Sequence, residues 1–126
     1  MGQDIIADVL NMIRNAQKAN KKTIVAGKIS NLLIEVLKIM KHKKAIKGYK
    51  INSKDKTIEI NIGELNECGA IKPRYTVKKT QIEKYMRRYL PARGVGTIIV
   101  STSNGLVSHE EALEKDLGGC LIAYFY

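Results

Sequence analysis

The apolar residues of this chain first recur at helical spacing. Ile5, Ile6, Val9, Leu10, Ile13 and Ala16 predict an amphipathic helix over residues 4–18. Asp4 stands where an N-cap is expected, and its charge suits a helix N-terminus. Arg14, Lys18, Lys21 and Lys22 gather towards the far end, before a short strand at Thr23-Ile24-Val25. Ser30 is the expected N-cap of a second helix, with Ile29 and Ile34 as a hydrophobic staple. Leu32, Leu33, Val36, Leu37 and Met40 form its stripe, which runs into Lys41-His42-Lys43-Lys44.

The period then changes. Residues 46–51 and 57–62 read as strands joined by the polar turn Asn52-Ser53-Lys54-Asp55-Lys56. Ile58, Ile60 and Ile62 alternate with Thr57, Glu59 and Asn61, the pattern of a sheet with one buried and one wet face. Periodicity breaks between Gly63 and Gly69. Beyond it, residues 71–79 are expected to be extended, since Pro73 opposes a helix. A short helix through Ile82, Tyr85, Met86, Tyr89 and Leu90 should end at Pro91. A strand over 97–102 follows, then a capping-box helix from Ser108, a Gly118-Gly119 stop and a strand over 120–126. The predicted fold class is α+β in two small packed modules. Residues 1–65 are expected to form an α-β-α-β-β module, and residues 66–126 a mostly β module with short helices.

Charge changes this picture. The formal net charge is +10, and its distribution is uneven. Residues 1–50 carry eleven basic and three acidic side chains, residues 51–100 ten and five, and residues 101–126 one and four. A basic body with a hydroxyl-bearing tip suits a protein that neutralises phosphates with one surface and reads shape with another. The tip is Ser101-Thr102-Ser103-Asn104-Gly105, small hydrogen-bonding side chains on a tight turn between apolar strands. Such hydroxyls also serve turns by satisfying local backbone groups. The run at Lys41, Lys43, Lys44 and Lys47 is either a solvated helix end or a phosphate contact.

Other chemistry finds little support. His42 and His109 fall on separate elements with no acidic cluster at matching spacing, so no metal site is expected. Glu110 and Glu111 sit in a helix first turn, where carboxylates are favoured without catalysis. Cys68 and Cys120 have no CxxC spacing and are expected as free thiols in a reducing cytosol. No apolar run reaches membrane-spanning length, and the N-terminus does not read as a signal peptide. Neither an enzyme nor a bound cofactor is expected. Most of the tyrosines have core or interface spacing, with Tyr75 a candidate for stacking on RNA.

Five segments in one order carry a family resemblance: IADVLNMIRNA (6–16), CGAIKPRY (68–75), YLPARGVG (89–96), IIVSTSNGLVSHEEA (98–112) and GGCLIAYFY (118–126). Together they resemble the ribosomal protein S-eight family of the small subunit, in its archaeal and eukaryotic form. The resemblance implies direct binding to the central domain of small-subunit ribosomal RNA, an early role in subunit assembly and a place in the cytoplasmic ribosome beside other small-subunit proteins. It implies a monomer when free. It assigns the turn at Ser101, Thr102, Ser103, Asn104 and Gly105 to an irregular RNA element, where hydroxyls can reach exposed base edges and 2′-hydroxyls. Arg14 and Asn15, Lys72 and Arg74, and Arg93 lie inside three of the segments and join the candidate RNA-binding set. Lys28 and Ser30 match the family in character, although the proline that commonly precedes the second helix is missing here. Lys43 and Lys44 join the set on charge. Asn104 stands where bacterial relatives often carry lysine. The alternative reading is a translational regulator that binds messenger RNA, its own included, with the same surface.

Overall fold

The computed structural model describes residues 5–27, 29–71, 76–91 and 95–126. The chain divides into two compact units, Met1–Gly69 and Ala70–Tyr126. Asp4, Lys28, Lys72, Arg74, Tyr75 and Arg93, all singled out above, lie outside the described residues.

The first unit opens with α1 (Ile5–Lys18), whose buried residues Ile6, Val9, Leu10 and Ile13 follow the sequence stripe. β1 (Thr23–Ala26) follows, then α2 (Asn31–His42). The Leu33 N–H donates to Ser30 Oγ at 3.1 Å, so Ser30 caps α2 as expected. β2 (Ile46–Asn52) and β3 (Thr57–Ile62) complete an antiparallel sheet in the order β1-β3-β2. Ile58, Ile60 and Ile62 are buried, and the residues between them are not, as the alternation requires. Between Ile46 and Gly48 the register shifts, which puts Lys47 at a bulge. β4 (Cys68–Ala70) runs across the division between the units.

The second unit holds β5 (Thr76–Val77), α3 (Lys79–Tyr89), β6 (Thr97–Thr102), β7 (Gly105–Ser108), α4 (His109–Glu114) and β8 (Gly119–Phe125). Its strands lie antiparallel, with β8 between β5 and β6 and with β7 on the other side of β6. Ile71, Val77, Ile82, Leu90, Ile98, Val100, Val107, Ala112 and Leu121 form its core. Tyr85, Tyr89, Tyr124 and Tyr126 are half-buried and pack against that core, which agrees with their sequence spacing.

Three local details differ from the sequence reading. α3 begins at Lys79, before Ile82, because the Gln81 side chain reaches back to accept the Lys78 N–H at 2.9 Å. β7 is a strand where a plain turn into a helix was expected. α4 stops before Gly118-Gly119. Asp116 takes the left-handed conformation (φ 64°), and the N–H groups of Asp116 and Leu117 close on the carbonyls of Leu113 (3.3 Å) and Ala112 (2.8 Å). No helix among the described residues is long and apolar enough to cross a membrane.

Candidate nucleic-acid interface

β6 and β7 form a tight hairpin whose last paired residues are Thr102 and Gly105. Ser103 and Asn104 fill the turn and are exposed. The positive φ falls on Gly105 (99°), not on Ser103 or Asn104. A Cβ at Gly105 would meet nothing within 4 Å, so backbone conformation rather than space calls for glycine. Thr102 locks the turn from inside. Its Oγ1 donates to the Gly105 carbonyl at 2.9 Å and accepts the Asn104 N–H at 3.1 Å. Among the described residues, no hydrogen bond engages the hydroxyls of Ser101 or Ser103. Of the three hydroxyls read from the sequence, one shapes the turn and two remain available to a partner.

The hairpin is held from beneath. His109 is 3% exposed, and its Nδ1 accepts the Ile98 N–H at 3.0 Å. The imidazole is therefore neutral at Nδ1 and ties the start of α4 to β6. Ser108 Oγ accepts the Glu111 N–H at 3.2 Å, while the Glu111 carboxylate takes Lys115 Nζ at 3.2 Å. Only the serine half of the predicted capping box has the expected bond. On the other side, a Cβ at Gly119 would overlap the Ser101 carbonyl oxygen, so glycine lets β8 approach β6 at the base of the turn. The β6–β8 register also shifts between Ile99 and Val100. His109, Gly119 and the β7 strand were all missed as supports of the turn. The Gly-Gly pair was the available signal, and it was read as a helix stop.

The basic candidates of the first unit are differently built. Lys41, Lys43, Lys44 and Lys47 are exposed. Lys43 is the C-cap of α2, and Lys44 adopts the left-handed conformation (φ 66°). The Lys44 and Ala45 N–H groups close on the carbonyls of Lys41 (3.0 Å) and Met40 (2.9 Å). Gly63 donates to the Ala45 carbonyl at 3.0 Å and Glu64 to the Lys44 carbonyl at 3.1 Å. A Cβ at Gly63 would stand 2.7 Å from the Lys44 oxygen, so this glycine serves a close backbone approach.

Asn15 is exposed on α1. The Ser30 oxygen is used as a helix cap. Arg14 Nε lies 2.6 Å from Glu67 Oε1. Both atoms are shielded from water and neither makes an aligned hydrogen bond, so the contact is a charge pair. Next to it, Cys68 Sγ donates to the Leu10 carbonyl at 3.3 Å. Burial, aided by the Glu67 carboxylate and opposed by Arg14, pushes the Cys68 thiol up to about 12. Cys68 and Cys120 are both free. Among the described residues, no three His, Cys, Asp or Glu side chains come together as a metal site.

The family model described as Ribosomal protein S8 matches residues 4–126. Curated relatives cover the whole chain and are themselves covered in full. The small ribosomal subunit protein uS8 of Nanoarchaeum equitans is 43% identical over 129 aligned positions. Those of Thermoplasma acidophilum and Picrophilus torridus are 38% and 37% identical. The resemblance read from five sequence segments is thereby matched along the chain, and the chain belongs to the ribosomal protein S8 family of the small subunit.

Proposed function

We propose that this chain binds small-subunit ribosomal RNA directly, in the central domain, and supports subunit assembly within the cytoplasmic ribosome. Its relatives are small-subunit proteins, and other proteins of that subunit are its expected neighbours. The observation that carries the reading is the division of labour in the β6–β7 turn. Thr102 spends its hydroxyl on the turn, whereas Ser101 and Ser103 do not. A rigid turn with unspent hydroxyls suits the edges and 2′-hydroxyls of an irregular RNA site. Asn104 and Gly105 complete that contact. Lys43 and Lys44, with Lys28, Lys72, Arg74 and Arg93, supply phosphate contacts that set register without reading sequence. Arg14, Asn15 and Ser30 belong to the same set.

Chemical footprinting of the purified chain on naked small-subunit ribosomal RNA tests this. Protection should centre on an irregular helical element of the central domain. If about four to six phosphates are neutralised, affinity should fall by about two to three decades between 50 and 200 mM salt. Uniform protection along the RNA, or a flat salt profile, would defeat the reading.

A further inference from the structure

We propose that Glu67 and Cys68 hold Arg14 as a preset fork for an RNA phosphodiester, an inference that rests on the RNA-binding function above. Arg14 is the first arginine of the chain; the ten other basic residues within the first fifty are lysines. A guanidinium differs from an ammonium in its planar set of donors, which match phosphate oxygens in pairs. Its value depends on orientation, and a long side chain must be held to keep one.

The holding is done by two consecutive residues on two successive turns of α1. Cys68 Sγ reaches the Leu10 carbonyl, and Glu67 Oε1 reaches Arg14 Nε, four residues further along the same face. Cys68 is fully buried, which fixes the backbone from which Glu67 extends. Burial keeps its thiol protonated, so the anchor remains a donor. The charge contact itself is out of water, yet the Arg14 side chain is 40% exposed. The guanidinium is therefore fixed on its inner side and open on its outer side. Among the described residues the guanidinium makes no further ion pair or hydrogen bond. A guanidinium held by charge on its inner side, yet exposed over much of its side chain, is prepared for an anionic acceptor from a partner.

The alternative is that Glu67 merely competes with RNA for Arg14, and the two ideas predict opposite signs. Binding of the full chain to naked small-subunit ribosomal RNA is measured across a salt series for Arg14→Ala, Glu67→Ala, Glu67→Gln and the Arg14→Ala/Glu67→Ala pair. Arg14→Ala should weaken binding about tenfold and lower the salt slope by about one. Glu67→Ala should weaken it about three- to tenfold, yet change it less than about twofold once Arg14 is absent. Glu67→Gln keeps a neutral acceptor and should fall between; it replaces Glu67→Ala if thermal melting shows that variant unfolded. Tighter binding by the Glu67 variants, an equal loss with and without Arg14, or no effect of Arg14→Ala would each overturn the proposal. The RNA-binding function fails separately, when the unmodified chain protects no RNA.

Discussion

The lysine corner at the end of α2 and the hydroxyl turn between β6 and β7 make an instructive pair. Each is a sharp reversal. Each places a left-handed residue at its close, Lys44 in one and Gly105 in the other. Each has a glycine beneath it that admits a neighbouring backbone, Gly63 under Lys44 and Gly119 beside Ser101. They differ in what they present. The corner carries long flexible charges over backbone groups that already satisfy one another. The turn carries short side chains, one of them consumed by the turn itself. Charge acts over a Debye length of about 8–10 Å and tolerates loose placement. A hydrogen bond fails within a fraction of an ångström and needs a rigid mount. The buried His109 and the register shift lie under the hydroxyl turn and supply a mount of that kind.

The largest expected effect strikes the mount. Gly119→Ala should destabilise the second unit by about 1–3 kcal/mol, because the new Cβ meets a backbone oxygen that has little room to move. Denaturant melts measure this, and a midpoint unchanged from the parent chain would mean that β8 retreats freely. His109→Leu should cost about 2 kcal/mol by leaving the Ile98 N–H buried without its acceptor. An equally stable variant would show that water or another carbonyl replaces the imidazole. Neither substitution touches the lysine corner, so the salt slope of RNA binding should survive in whatever fraction stays folded.

Ser103→Ala probes the turn without its mount. It should cost roughly 1–3 kcal/mol of RNA affinity while the melting temperature holds, since its hydroxyl makes no hydrogen bond among the described residues. Normal binding, or weak binding explained by unfolding, would remove Ser103 from the interface. The smallest effect belongs to the corner. Lys44→Gly relieves a left-handed lysine and should stabilise the first unit by up to about 1 kcal/mol. At the same time it should lower the salt slope by about one if Lys44 meets phosphate. A stabilised variant with the parental slope would return Lys44 to a solvated helix end.

The sequence made the elements with long, regular periods plain. The stripes of α1 and α2 and the alternation of β3 each sample their period several times, and Ser30 marks a cap by its chemistry alone. Short elements escaped. β7 holds Leu106 and Val107 side by side within four residues, too few to show alternation. α3 began early because Lys78 is no usual N-cap and the bond comes from Gln81. The stop of α4 was assigned to two glycines, while an aspartate adopts the left-handed conformation that ends it.

The candidate site divides in the same way. Composition placed the charge, and five short segments placed the chain in its family and pointed to residues 101–105. What those residues do was decided by the fold. Only the hairpin register turns Thr102 inward and leaves Ser101 and Ser103 unspent. Only the packing of β8 on β6 makes Gly119 obligatory, and only the return of Glu67 and Cys68 to α1 gives Arg14 a charged partner. Periodicity and capping act within a few residues and can be read along the chain. A hydrogen bond from His109 to Ile98, or a contact from Glu67 to Arg14, joins positions whose separation the chain order leaves open.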